Sequence, residues 1–475
     1  MKIKLGLGKA NMRDVAMWCS GELYDFSAQN GCDFEYVCTD SREADENTMF
    51  VATRGERVDG HDYISKALDL GCRCVLCEYV PTDISGREAA FAVVENSVEA
   101  FSRTARGYRS GKAIDTVAIT GSVGKTTTKE LCASIIKRHR ALYYTQGNFN
   151  SVIGMPMSLM EAPRECDAAV FEMGMSGLGE IRSMTLTALP KVAMVTNVGS
   201  SHLEYLKTRE NIARAKLEIA EGLCDGGYLL LNGDEPLLRE IKPKTDADIK
   251  TLYVGLDGQN GCTVNAFNIR VGEDGTRFDL CVEDKTYRDL KINLIGRAFV
   301  YNAAFAAVAA MLLGAGEDDV RLGLADYYAQ SMRQSIQDRD GVTVVMDCYN
   351  ASPESMRSAI DTLAALKVDG KRIAVLGDMR ELGDDSDAMH ADIGRYVADK
   401  GIDALLTLGS GGAIIAESAK TCGVACERVI SVSDVDGTDE LARALCGMLQ
   451  KGDAVLFKAS RSLRLERVAD AAFAK

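Results

Sequence analysis

No apolar run opens this chain. Glycine and charge interrupt MKIKLGLGKANMRDVAMWC throughout, so neither a signal peptide nor a membrane span is expected, and a cytoplasmic location follows as the default expectation. Basic stripes are missing too. Lys and Arg number 55 against 69 Asp and Glu, a net charge of −14, which argues against a nucleic-acid surface, because a phosphate backbone demands clustered cations. An anionic small molecule stays possible, since a few N–H groups and local cations can hold it against an acidic average. Internal repeats and low-complexity tracts are also missing, so an ordered globular chain is expected, one whose 475 residues make about two to four domains.

The 15 cysteines lack paired spacing, which suits buried, reduced thiols better than disulfides. Cys72-x-Cys74-x-x-Cys77 is the one cluster to weigh as a metal site. GCRCVLCEY reads as a short buried strand, however, and no second cluster supplies a fourth ligand at zinc spacing.

What is present is α/β alternation. The first ~110 residues hold short strands and helices and end in the arginine-rich helix SVEAFSRTARGYRSG. Next come the β-rich runs TVAIT, ALYYT, AAVFEMG, KVAMVTNV, GYLLLN and TLYVG with helices between them, the order of a parallel sheet covered on both faces. A β-rich insertion broken at GEDG and the alanine-rich helix YNAAFAAVAAMLLGAG follow. GVTVVMDCYN, KRIAVLGDM, DALLTLGS, RVISVSD and DAVLFKAS then form a further α/β unit. The expected units are 1–112, 113–320 and 321–475, an α/β chain of three domains.

TVAITGSVGKTTTKELCASI, from Thr116 to Ile135, is the stretch with the most definite chemistry. A strand turns through Gly121, Ser122, Val123 and Gly124 into a helix starting at Lys125, the pattern of a nucleotide phosphate loop. Backbone N–H groups and the helix dipole face phosphate oxygens, Lys125 adds a full charge, and Thr126 sits where such loops hold magnesium. The generic signature is incomplete, with Ile119 where glycine is usual. An ordinary tight turn is the competing reading.

Polar residues at strand ends supply further candidates. Glu172 ends AAVFE, where a carboxylate can hold magnesium. His202, one of four histidines, follows VTNVGSSH, a placement as compatible with function as with a structural role. Lys216 in NIARAKLEIAEGL reads by spacing as a surface lysine in an ion pair. In the first unit, Asp40, Ser41 and Arg42 form a polar turn. The loop from Gly55 through Arg57 to His61, together with Arg54, could take a diphosphate or be merely solvated.

Taken together, these blocks resemble the muramyl ligases of bacterial cell-wall synthesis. The likeness runs through DSR and MFVATRGERVDGHDYI, then TGSVGKTTTKE, GNFNSVIGMP, FEMGMSGLGEI, TNVGSSHLE, ARAKLEI and GRAFVYNAAFAA. It ends with YNASPESM, VLGDMRELG with His390, and KASRSLRLE. The resemblance implies a small α/β N-terminal domain, a central doubly wound parallel-sheet P-loop ATPase domain and a Rossmann-like C-terminal domain. It also implies an ATP-dependent, ADP-forming ligase. ATP would phosphorylate the terminal carboxylate of UDP-N-acetylmuramoyl-tripeptide, and the amine of D-alanyl-D-alanine would attack the acyl phosphate.

By the same resemblance, Gly121 to Thr127 with Asn302 and Arg333 would contact ATP. Thr126 and Glu172 would hold one Mg2+ and His202 a second, beside a carbamylated Lys216. Asp347 matches the family's acidic residue of the third domain, and with Lys125, Glu172, His202 and Lys216 completes the catalytic set. Ser41, Arg42, Gly55, Arg57 and His61 would take the UDP end, Asn148 and Asn150 the muramoyl peptide, and Asn350 and Ser352 the dipeptide. Val123, Met346 and Ser352 depart from the family pattern, and Ser352 offers a hydroxyl where an amide is usual. A monomer is expected, closing around ATP because Arg333 and Asp347 must reach the second domain.

Rival readings remain at this point. A sister ligase adding a single diamino acid is the nearest, although GDMRELG stands where an Asp-Asn-Pro-Arg type motif would be expected. A folylpolyglutamate synthase would lack the UDP block. A non-catalytic nucleotide switch would not need Lys125, Glu172, His202, Lys216 and Asp347 together.

Overall fold

Strands and helices follow the hydrophobic patterning closely. The structure is a computed structural model that describes residues 1–26, 32–55, 58–82, 84, 87–329 and 332–474. Arg57, expected near the UDP end, lies outside the described residues. Three large sheets follow one another along the chain, with a two-strand pair, Ala10–Asn11 and Asp33–Phe34, beside the first.

The first sheet has six strands. Its inner four, Tyr36–Cys38, Thr48–Val51, Cys74–Cys77 and Ala90–Val93, are parallel, and an antiparallel strand flanks each edge. Cys72, Cys74 and Cys77 are all buried here, with Cys74 in one core cluster and the other two in another. Burial pushes the thiols of Cys72 up to about 11 and of Cys77 up to about 12, which suits inert core residues rather than nucleophiles.

The second sheet has nine strands in the order Leu142–Tyr144, Ala168–Glu172, Asp115–Thr120, Val192–Val195, Gly227–Asn232, Ile249–Leu256, Val264–Gly272, Gly275–Val282 and Lys285–Ile292. The first seven pair in parallel, and the insertion adds its last two as antiparallel neighbours, so it extends the central sheet. Alternation sorts each strand between two cores: Ala169, Phe171, Ala193 and Val195 face one, while Val170, Val192, Met194 and Leu230 face the other. Period-two burial on both faces is what a doubly covered parallel sheet requires.

The helix Ala298–Leu312 is buried on most of its surface and packs against Lys125–Ile136, the helix that leaves the phosphate loop. Helix Glu317–Ala325 crosses the boundary expected at 320 and packs on the same helix. A Cβ at Gly323 would sit 2.6 Å from Ile135 Cα, so glycine is needed for this approach.

The third sheet holds Val342–Met346, Ala454–Lys458, Arg372–Gly377, Ala404–Leu408 and Val429–Val432 in parallel, with Ser335–Arg339 antiparallel at one edge. Among the described residues, no helix is long and apolar enough to cross a membrane.

Candidate active site

Glycine and threonine shape the phosphate loop before any ligand is considered. Gly121 and Gly124 have φ of +152° and +83°, and a Cβ on Gly124 would come 2.3 Å from Asn302 Nδ2. Only glycine fits both the left-handed turn and that neighbour. The loop is tied to the segment after the next strand: Val123 N–H donates to Asn197 Oδ1 (2.9 Å), Thr196 Oγ1 to Val123 O (2.7 Å), and Gly199 N–H to Ser122 Oγ (2.8 Å). Asn302 Nδ2 donates to Thr128 Oγ1 at 3.0 Å. The loop is thus held in shape from outside, with the Ser122 and Val123 N–H groups both engaged by Asn197.

That cavity, of about 570 Å³, opens where the carboxyl ends of the second and third sheets face each other. It gathers Ser122 to Thr127, Asn150, Glu172, His202, Asn302, Arg333, Asp347, Asn350 and Ser352. Residues some two hundred positions apart thereby line one space.

Glu172 is buried at the end of its strand. Its Oε2 accepts from Thr126 Oγ1 and its Oε1 from Asn150 Nδ2, both at 2.8 Å. Its own N–H donates to Thr145 Oγ1 at 3.1 Å, which fixes the strand end. Lys125 Nζ donates to Gly121 O (2.6 Å) and Ser122 O (3.3 Å). Burial lowers the Lys125 pKa, Glu172 opposes that shift and Arg333 adds to it. Arg333 therefore already stands within electrostatic reach of the loop.

Lys216 is 2% exposed. It is no surface lysine. Burial, with the Lys125 cation adding to it, holds its amine well below the usual lysine range, and no hydrogen-bond partner for it occurs among the described residues. His202 lies in the left-handed region, with φ +65°. Its Nδ1 is 2.5 Å from Glu381 Oε2 of the third sheet's unit, but without the alignment of a hydrogen bond.

On the facing side, Lys458 Nζ donates to Asp347 Oδ2 (2.7 Å) and Asn350 O (3.0 Å). Burial raises the Asp347 pKa, and Lys458 opposes that. The Arg333 guanidinium stacks 3.8 Å over the ring of Tyr349. Ser352 caps the helix Pro353–Ala365, and Glu354 in that helix accepts from both Ser200 N–H (2.9 Å) and Ser200 Oγ (3.0 Å), bridging the two units.

The expected UDP residues lie elsewhere, in loops leaving the carboxyl ends of adjacent parallel strands of the first sheet. Arg42 pairs with Asp40 at 2.5 Å. Gly55 N–H donates to Val58 O at 2.9 Å. His61 is turned inward: Nδ1 contacts Asp59 Oδ1 (2.6 Å), Nε2 accepts from Glu78 N–H (2.9 Å), and the ring stacks on Tyr79. Asn148 does not line the cavity, though its carbonyl accepts from Asn150 N–H at 2.7 Å. Lys458, Tyr349, Glu354 and Glu381 went unassigned from sequence, although the blocks YNASPESM, GDMRELG and KASRSLRLE contain all four.

Residues 119–310 match the Mur ligase middle domain, 332–461 the Mur ligase glutamate ligase domain and 33–108 the Mur ligase family catalytic domain. The UDP-N-acetylmuramoyl-tripeptide--D-alanyl-D-alanine ligase of Bacillus subtilis is 35% identical over 97% of this chain and 97% of its own length. The enzyme of that name from Escherichia coli is 34% identical over 78% of this chain and 81% of its own. A crystal structure of MurF from Acinetobacter baumannii superposes with a TM-score of 0.87 at 26% identity, covering 99% of this chain and 100% of that one. The Thermotoga maritima MurF ligase in complex with ADP gives 0.79 at 30% identity, covering 92% and 96%. Lys216 is not among the residues that line the cavity. With near full-length likeness and a phosphate loop, a buried glutamate and a histidine around one cleft, the chain belongs to the Mur ligase family.

Proposed function

We infer that this protein is an ATP-dependent ligase that joins D-alanyl-D-alanine to UDP-N-acetylmuramoyl-tripeptide in peptidoglycan precursor synthesis. The observation that carries this reading is the single cavity shared by Lys125, Thr126 and Glu172 of the middle unit and Arg333, Asp347 and Asn350 of the last. A carboxylate is a poor electrophile at neutral pH. Transfer of the γ-phosphoryl group of ATP makes it an acyl phosphate and releases ADP. Attack by the dipeptide amine forms the C–N bond, the amine loses a proton, and the C–O bond to phosphate breaks. Lys125, the helix N-terminus behind the phosphate loop and Arg333 are placed to offset the charge of the anions that meet in the first step.

The donor set fits a divalent cation. Thr126 Oγ1 and Glu172 Oε2 already converge at 2.8 Å, and hard oxygen ligands suit Mg2+. His202 and a carbamylated Lys216 would hold a second ion. The buried Lys216 amine is suited to that modification, because only an uncharged amine attacks carbon dioxide. When bound, the metal neutralises phosphate charge. Asn150, hydrogen-bonded to Glu172, and Asn148 are proposed to take the muramoyl peptide.

Ser41, Arg42 and the Gly55 to His61 loop are proposed for the UDP end. His61 there acts through Asp59 and Glu78, shaping the loop. Asn350 and Ser352 are proposed for the dipeptide. The three sheets suit units divided near 112 and again beyond Ala325, so that the helix Glu317–Ala325 stays with the middle unit. A monomer working in the cytoplasm completes the proposal.

Purified protein should release phosphate only when ATP, Mg2+, UDP-N-acetylmuramoyl-tripeptide and D-alanyl-D-alanine are all present. Equal phosphate release with a single diamino acid and the dipeptide precursor would select the sister ligase. Nucleotide binding without turnover would select a switch.

A further inference from the structure

The block GDMRELG has no role in the chemistry described so far, yet it makes the closest polar approach between the last unit and the histidine of the middle one. Its Glu381 Oε2 lies 2.5 Å from His202 Nδ1. Its backbone carbonyl accepts from Glu204 N–H at 3.2 Å, two residues beyond that histidine. Gly383, φ +66°, lies so near Glu204 that a Cβ would meet Glu204 Cα at 3.2 Å. One short loop is thus clasped to one short turn through a side chain, a carbonyl and a glycine contact.

The backbone supplies a second, independent sign. His202 and Glu381 have φ of +65° and +64°, a region that residues with a Cβ rarely occupy and that persists only where the surroundings hold it. Both strained residues are the two that face each other. His202 Nδ1 is buried against Glu381, while the same side chain lines the cavity, leaving Nε2 as the nitrogen available to it. A carboxylate this close to Nδ1 favours, through its charge, the proton on that nitrogen and the lone pair on Nε2.

We propose that Glu381 is a positioning residue for His202, delivered by the last unit, so that the imidazole is fixed with Nε2 toward the cavity only when the two units are together. This rests on the reading of His202 as a site residue given above. It assigns GDMRELG a task that links unit closure to the readiness of the histidine.

The test uses the full chain with its histidines labelled with 15N; the total of four keeps the spectrum readable. Without metal or nucleotide, the parent should show a His202 signal pair of the Nδ1–H form. Glu381→Ala should move that pair toward the mixture of tautomers of an exposed imidazole, with the other three histidines unmoved. In turnover, Glu381→Ala should lower kcat by about 10- to 100-fold, with KM for ATP within about twofold, and Glu381→Gln should recover part of the loss. Adding Glu381→Ala to His202→Ala should cost nothing further.

An unchanged His202 signal, or the same fold-loss from Glu381→Ala with and without His202, would overturn the proposal. Parent-like turnover of His202→Ala would instead remove the reading on which it rests. Because Glu381 has a side chain 43% exposed, loss of fold is not expected, and a thermal unfolding curve of the Glu381→Gln variant provides the control.

Discussion

Lys458 and Asp347 form an ion pair of 2.7 Å, with side chains only 2% and 13% exposed. They end neighbouring parallel strands of the third sheet, and the same ammonium reaches the carbonyl of Asn350 at 3.0 Å. The lysine therefore holds the whole turn from Asp347 to Asn350, which forms the last unit's wall of the cavity. Taking one partner away leaves a buried charge uncompensated, typically at a cost of about 3–5 kcal/mol. Lys458→Met should lower unfolding free energy by about that much in urea titrations. Combining it with Asp347→Leu should restore much of the loss, because a fully apolar pair leaves no charge behind. Equal stability of Lys458→Met and the parent would show that the pair is solvated.

The phosphate loop yields a sharper expectation at Gly124. An alanine there adds both left-handed strain and a Cβ placed 2.3 Å from Asn302 Nδ2. Asn302 must swing away from Thr128 to make room, so the nucleotide contact proposed for Asn302 should be lost along with loop shape. Strain of this kind costs about 1–3 kcal/mol. Gly124→Ala should weaken ATP binding by roughly 5- to 150-fold on that scale, read by calorimetric titration, while Gly447→Ala, with nothing within 4 Å of its added Cβ, leaves it unchanged.

Glu172 connects the phosphate loop to Asn150, with Thr126 on one oxygen and Asn150 on the other. Glu172→Gln keeps the shape but removes the charge, and it turns one acceptor into a donor. The Mg2+ concentration at half-maximal rate should rise at least about tenfold, with kcat down by roughly 10²-fold or more. A magnesium titration identical to that of the parent would place the metal elsewhere.

Much of the architecture was legible because strands buried on both faces read as short apolar runs. TVAIT, AAVFE, VAMV and GYLLLN each became a strand of the central sheet. The insertion was legible as hairpins. That it joins the edge of the central sheet through Val254 and Val264 was not, since pairing partners are set by tertiary packing. In the site, GSVGKTT announced itself through glycines that only a tight turn requires. Lys216 did not, because helical spacing near Glu210 and Glu218 is equally that of a surface ion pair, and burial depends on neighbours far along the chain. Lys458 was hidden for the same reason: the charge that balances it, Asp347, is 111 positions away. Glu381 reads as an ordinary loop acid until His202 is seen beside it.

The buried amine of Lys216 makes a prediction about pH. Its pKa in the folded protein lies well below the usual lysine value of 10.5, chiefly through burial and then through Lys125. Between the folded value and 10.5 the unfolded chain carries a proton there that the folded chain does not. Unfolding free energy therefore rises with pH across that window, by up to about 1.4 kcal/mol per unit for one proton. Below the folded value both states are protonated and this slope vanishes. Lys216→Met removes the proton from both states. In buffers freed of carbon dioxide, the stability of the parent relative to Lys216→Met should climb with rising pH up to about pH 10. A flat difference would mean that the amine is solvated and ordinary. Adding bicarbonate should then raise turnover of the parent at alkaline pH and leave Lys216→Met inactive, because a carbamate forms only on the uncharged amine that this burial creates.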